Sequence, residues 1–218
     1  MACQAEGQAG GWSARSSSVS KASVELLLRR NCQDPLQQSR LRLLSPLSIH
    51  FSQTHVRPEF QDSRLIDDTL KQISPDRMSP LAPEDLVDLA DLGVPAGPED
   101  WLLLRPPFPE IEVIMWRIKL RGTDGNPKLD AEGNELYGER EWFTLDNRRL
   151  YCLQKAAVAL HPKQVRCVVI VVKQEEGNSR EFRKFRTQDC GRSIRIGHRD
   201  SRDLPRWSWR SEAGLPEE

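Results

Sequence analysis

The stretch WFTLDNRRLYCLQKA, residues 142–156, decides the fold. Its first residues complete a short strand, Glu141 to Leu145, carried by Trp142, Phe143 and Thr144, side chains that suit a pleated, half-buried surface. Asp146 and Asn147 stop that strand. From Arg148 to Leu160, the residues Leu150, Leu153, Ala157 and Leu160 recur at helical spacing, and Pro162 stands just past the end, so the pattern predicts a helix. Val165 to Val172 follows as a near-continuous apolar run, the signature of a strand buried on both faces. Upstream, Ile111 to Leu120 is rich in β-formers, Gly122 to Pro127 is a turn cluster, and the stretch to Glu139 is polar enough to read as a long loop. The order strand, turn, strand, helix, strand predicts an α+β fold with a small mixed sheet.

The junction between strand and helix also carries the chemistry. A helix start exposes backbone N–H groups that have no intrahelical partner, and the aligned peptide dipoles make it attractive to anions. Arg148 and Arg149 stand in that first turn, where the dipole disfavours cations by roughly 0.3–1 kcal/mol each. A phosphate or carboxylate held among them accounts for the placement. In this reading Asp146 caps the helix and fixes the turn, Asn147 offers an amide to phosphate or ribose, and the arginines neutralise phosphate charge. Successive helical positions diverge by about 100°, so one arginine faces the ligand and the other braces a neighbouring loop. The alternative is structural: Asp146 is an ordinary N-cap and the arginines pair with Glu139 or Glu141.

The unit from Phe143-Thr-Leu-Asp-Asn-Arg-Arg-Leu150 into Val165-Arg-Cys-Val-Val169 resembles the phosphate-binding box of the ParB/sulfiredoxin-like nucleotide-binding fold. In that family a strand ends in a Gly-Glu-Arg-Arg or Gly-Cys-His-Arg motif, opens a helix that receives nucleotide phosphates, and returns to a strand. Ser48-Ile-His-Phe51, Arg57-Pro-Glu-Phe60 and the stretch Leu65 to Ile73 look like its opening strand and first helix, and Ile111-Glu-Val-Ile114 like the strand before its motif. The resemblance covers residues 46–173, most closely 142–156. It implies a bound nucleotide, with or without magnesium, at Asp146, Asn147, Arg148 and Arg149. Asn147 stands where a sulfiredoxin has its reactive cysteine and where a ParB protein has its motif glutamate. The resemblance therefore implies a fold and an anion site, without sulfinic-acid reduction or a ParB-type metal-assisted hydrolysis. A helix-turn-helix module for reading DNA does not follow.

Around this unit the chain divides by composition. Residues 1–45 are expected to be a disordered or weakly helical tail, with Val24 to Arg30 its one helical stretch. Leu47 to Phe51 reads as a short strand and Leu65 to Ile73 as an amphipathic helix. Asp76 to Glu112 holds nine acidic residues against two arginines and is cut by seven prolines, so residues 75–110 read as an acidic insertion between two halves, with one helix over Pro83 to Leu92. Residues 174–218 form a basic extension. Between Lys173 and Arg210, eleven Lys/Arg face six acids, interleaved with Phe182, Phe185, Trp207 and Trp209. That is the composition of a surface that pairs phosphates and stacks bases, with Arg183, Lys184, Arg186 and Arg195 as candidate contacts. It is also the composition of a protein-interaction arm anchored by tryptophans, and the stronger reading is a solvated face over core Phe182 and Phe185, with the arginines offsetting the acidic segment. Ile194 and Ile196 alternate as in an edge strand.

In 218 residues, 32 Lys+Arg balance 32 Asp+Glu, so a nucleic-acid or lipid partner must be met by a local patch. No apolar run approaches the ~20 residues of a membrane-spanning helix, and no membrane partner is expected. Five cysteines at 3, 32, 152, 167 and 190, with no CxxC pair, suggest neither a disulfide framework nor a zinc site, and point to a reducing, intracellular setting, cytoplasmic or nuclear. The Ser-rich, acid-poor amino terminus also has the composition of an organelle transit sequence. His50, His55, His161 and His198 lack ligand spacing. Cys167 reads as inert in its strand, while Cys152 lies one helical turn past Arg148, whose charge would lower its pKa. A nuclease or nucleotide hydrolase would need a carboxylate cluster for a metal, for which Asp146 with Glu139 and Glu141 is the local candidate. The leading expectation is a phosphate- or nucleotide-binding module with no identifiable catalytic centre, ahead of the interaction module and the metal-dependent hydrolase.

Overall fold

In a computed structural model, residues 16–17, 40–78, 93, 100–122, 124–173, 185, 187, 189–197 and 204–217 are described. The apolar run from Val165 is strand β9 (Val165–Val171), and three other strands depend on it. Ile111 of β7 (Ile111–Lys119) lies opposite Val169 in parallel register. Leu102 of β6 (Trp101–Arg105) lies opposite Val165, also parallel, and β2 (Leu41–Leu44) runs antiparallel from Leu41↔Ile170 to Leu44↔Cys167. Residues 165, 167 and 169 thus share one face with Leu102, Ile111 and Val113, while Val168 shares the other with Leu43; Val165, Cys167, Val168 and Val169 are all buried. Burial on both faces is why the run is continuous rather than alternating.

The sheet extends in both directions from this centre. β8 (Tyr137–Thr144) pairs antiparallel with β7, and the two-residue β3 (Ile49–His50) pairs parallel with β8 at Ile49↔Trp142. On the other side β5 (Ser74–Met78) is antiparallel to β6 and is joined by β1 (Ser16–Ser17), completing eight strands. A separate parallel pair joins β4 (His55–Val56) to β10 (Arg195–Ile196). Helix α1 (Ile66–Leu70) and the longer α2 (Asn147–Ala159) pack on each other, and α2 lays Leu150, Leu153, Ala156 and Ala157 into the core that includes Val113, Val165 and Val169. A short α3 (Trp209–Glu212) begins at Ser208, whose hydroxyl accepts from the Ser211 N–H at 3.1 Å. The architecture is α+β with a mixed sheet, as the sequence predicts. No helix of the described residues is long and apolar enough to cross a membrane.

Four boundaries differ from expectation. Leu41–Leu44, assigned to the tail, is a strand of the sheet with Leu41 and Leu43 at 1% and 2% exposure. The acidic insertion contains β5 and β6, and Trp101 to Leu104 are all buried. The negative charges and prolines on either side hid a five-residue apolar strand. The polar loop before Glu139 is two tight turns closed by Asp124 and Asp130, whose carboxylates accept the backbone N–H groups of Asn126 and Asn134, and it leads into a strand that starts at Tyr137. Last, residues past 173 complete the domain: Ile194 is fully buried, and Trp207 meets Phe51 and Tyr151 edge-on, at 6.4 and 4.8 Å between centroids. Phe185 packs on Trp116 and Phe143. The helices expected at 24–30 and 83–92, and Phe182, lie outside the described residues.

Leu41→Ala and Leu43→Ala are each expected to lower stability by about 2–5 kcal/mol in urea unfolding, the usual cost of truncating a buried leucine. An unchanged midpoint would return these residues to a tail.

Candidate functional site

β8 delivers the chain to the start of α2 with Thr144 fully buried, and the Thr144 hydroxyl accepts the Asp146 N–H at 2.9 Å. Asp146 is the residue before the helix, yet its carboxylate does not cap it. Oδ2 accepts the Glu112 N–H at 3.0 Å, closing the open end of the β7–β8 ladder, and Oδ1 lies 3.4 Å from the Arg149 guanidinium. The expected cap is thus corrected: the carboxylate serves the strand behind it, and the first turn of α2 keeps its N–H groups without a side-chain cap from this position.

Asn147 also departs from its expected role. It is 5% exposed, with both ends of its amide engaged by other residues of the protein. Its Oδ1 accepts the backbone N–H groups of Ser52 and Gln53 at 2.9 and 3.3 Å, and its Nδ2 donates to the Ser52 hydroxyl at 2.9 Å. A carboxamide carries its acceptor and its donors on separate atoms, so Asn147 accepts twice and donates once, and it ties the start of α2 to the segment between β3 and β4.

The two arginines frame a cleft of about 470 Å³ at this helix start. Arg148 donates to the Glu59 carbonyl and rests over the Phe60 ring, 5.6 Å from its centroid. Arg149 lies over Phe108 at 5.9 Å. Arg64 covers Phe60 as well, at 5.8 Å, and pairs with Asp62. Both arginines line the same cleft, contrary to the expectation that only one would face it, because each lies over one of two neighbouring rings of the cleft wall, Phe60 and Phe108, whose centroids are 6.3 Å apart. Their partners are Asp146 and a carbonyl, not Glu139 or Glu141. Gln53, Val56, Phe60, Arg64 and Phe108 join the wall from distant parts of the chain. Phe108, set among three prolines, was the one visible signal that sequence reading passed over.

The carboxylates nominated for a metal do not gather. Glu141 sits 3.6 Å from His50 Nε2, Glu139 is exposed, and Asp146 is engaged as above. Among the described residues no group of three His, Cys, Asp or Glu is placed to hold a metal ion. Of the candidate nucleic-acid contacts, Arg183, Lys184 and Arg186 lie outside the described residues. Arg195 sits on β10 with its Nε buried. Burial pushes the Cys152 and Cys167 thiols up to about 12, so the arginine one turn away does not activate Cys152.

His50 occupies a smaller cavity of about 200 Å³ with Glu141, Gln154, Gly191 and Arg192. Its Nδ1 donates to the Cys190 carbonyl at 3.1 Å. Burial holds its pKa below the ordinary 6.5, with nearby Glu141 opposing and Arg192 adding to the shift. Comparison with family models, with curated proteins and with solved structures gives no match to this chain.

Because the folded protein disfavours charged His50 more than the unfolded chain does, stability rises with pH through the window below 6.5 and is lost as pH falls through it. The stability difference between wild type and His50→Gln, followed by thermal unfolding from pH 7.5 to 5, is expected to move against wild type on acidification. In the same native protein, iodoacetamide followed by peptide mass mapping is expected to leave Cys152 and Cys167 unmodified.

Proposed function

We propose that the protein binds a phosphorylated ligand, a nucleotide foremost, in the cleft at the start of α2. The observation that carries this reading is the convergence of Arg64, Arg148 and Arg149 on one 470 Å³ cleft that opens on an uncapped helix start. Three guanidinium groups meet two carboxylates there, Asp62 and Asp146, and both carboxylates are already paired with arginines. An anionic ligand would compete for guanidinium groups that Phe60 and Phe108 hold in place, so little side-chain entropy is lost on binding. Arg148 keeps donors beyond the one given to Glu59, and a guanidinium presents five. The start of α2 adds backbone donors and the positive end of its dipole.

The strand-helix-strand order around Asp146-Asn-Arg-Arg149 is also the order that a likeness to the ParB/sulfiredoxin-like fold implies. No catalytic step is assigned, since the cleft places neither an unpaired carboxylate nor an activated thiol beside the anion site. The competing reading, an interaction arm anchored by tryptophans, is weakened at Trp207: its ring is packed against Phe51 and Tyr151, and its N–H donates to Glu212.

Thermal unfolding of the full chain with a panel of nucleotides, with and without magnesium, tests the proposal. A ligand that binds only the folded state at 100 times its Kd stabilises it by about 2.7 kcal/mol. Wild type is expected to respond, and a folded Arg148→Ala/Arg149→Ala variant is not. No shift with any ligand, or an equal shift in both proteins, removes the proposal.

A further inference from the structure

The cavity of about 200 Å³ around His50 shares no lining residue with the anion cleft. Its own hydrogen bonds leave acceptors facing one another. The His50 Nδ1 lies 3.1 Å from the Cys190 carbonyl, and a carbonyl oxygen only accepts, so Nδ1 carries the ring proton. Burial and Arg192 hold the ring neutral against the opposing pull of Glu141 and Asp189, which leaves Nε2 as a bare lone pair. That lone pair stands 3.6 Å from a Glu141 carboxylate oxygen, beyond hydrogen-bond reach and with no proton between the two.

Gln154, 1% exposed and on the wall of the same cavity, adds a third acceptor. Its Nε2 donates to the carbonyls of Pro46 and Ile49 at 3.0 and 2.8 Å, which fixes the orientation of the amide, and its Oε1 is buried without a hydrogen-bond partner. A group rich in N–H donors and positively charged answers such a set, and an ammonium carries three donors. A lone cation is a poor match, because Arg192 and Arg210 line the cavity too and bring positive charge of their own. A lone anion meets Glu141. A molecule with both an ammonium and a carboxylate matches both signs. The volume limits its size: 200 Å³ is far more than the roughly 30 Å³ share of one water, and less than the roughly 300–1,000 Å³ of sites for drug-sized ligands. Leu47 and Trp209 complete the wall with apolar surface.

We propose that this cavity binds a free α-amino acid with an aliphatic side chain, its ammonium donating to His50 Nε2 and the Glu141 carboxylate, and its carboxylate drawn to Arg192 and Arg210. The site stands independently of the phosphate reading, since neither its residues nor its ligand are shared with the cleft at α2. The amino terminus of a peptide offers the same ammonium but has an amide in place of the carboxylate, so the two arginines select the free amino acid.

Calorimetric titration of the full chain with glycine, L-alanine, L-valine and L-leucine tests the assignment, followed by the amide and the N-acetyl derivative of whichever binds most tightly. Wild type is expected to bind at least one of the four, and to bind each blocked derivative roughly tenfold or more weakly, the loss that follows from removing one charged partner. Glu141→Gln keeps the shape of the side chain and removes its charge, and is expected to weaken the amino acid by a similar factor; His50→Gln takes its place if Glu141→Gln melts early. In histidine-ring NMR of wild type, the His50 signal is expected to move on saturation with the amino acid. The proposal is overturned if none of the four binds, if either blocked derivative binds as tightly as its parent, if a folded variant keeps wild-type affinity, or if the His50 signal stays in place while an amino acid is bound.

Discussion

A strand buried on both faces has to spend all of its backbone hydrogen bonds on neighbouring strands, because no water reaches it. β9 meets that constraint with β7, β6 and β2, and the placement of those partners settles most of the architecture. β7 brings β8 beside it, and β8 runs directly into α2. The helix then has one available route, back across the face where Val165, Cys167 and Val169 point, before re-entering the sheet as β9. The anion cleft lies where that route begins, at the carboxyl end of β8, because the turn out of the sheet and the first turn of the helix coincide there.

Within the cleft, the side chains that look most available to a ligand in the sequence are the ones the protein uses on itself. Asp146 completes the β7–β8 ladder and Asn147 clasps Ser52 and Gln53. This frees the adjacent Arg148 and Arg149, whose rings of support come from Phe60 and Phe108, to present their charge outward. The short run of four polar residues is thus divided by partner: the first two bond strand and loop backbone, and the last two lie over the aromatic rings of the cleft wall.

The strand at Ile111, the helix at Arg148 and the strand at Val165 were legible because each carries its own pattern, β-rich, helical or continuously apolar, over seven residues or more, and their bounds agree with the sequence reading to within a residue. β6 was not legible. Trp101 to Leu104 is apolar enough for a buried strand, but it is four residues long and stands among acids and prolines that dominate any wider window. β2 is as short, and its pairing is decided by a partner far along the chain; the strand read over Leu47 to Phe51 is present but shorter, at Ile49–His50. The same reasoning explains the site. Asp146 to Arg149 could be found because they are consecutive, whereas Gln53, Phe60, Arg64 and Phe108 join them only through tertiary folding, and periodicity says nothing about which loops will meet. The inward turn of Asn147 was equally invisible, since a helix start exposes its first residues unless another segment needs them.

The contacts at the two extremes of the described chain bear on how the molecule is made. Leu41 is opposite Ile170 in the sheet, and Phe51 is packed by Trp207, so β2 and the Phe51 ring both wait for partners synthesised more than a hundred residues later. Pairings of such separation carry a large loop-closure cost before they are rewarded, and they slow folding. On the ribosome, the amino-terminal elements emerge without the surfaces that bury them, and the core closes only after the Trp207 segment has left the exit tunnel. The long interval with Leu41, Leu43 and Phe51 uncovered is therefore the stage at which a holding chaperone has most to protect.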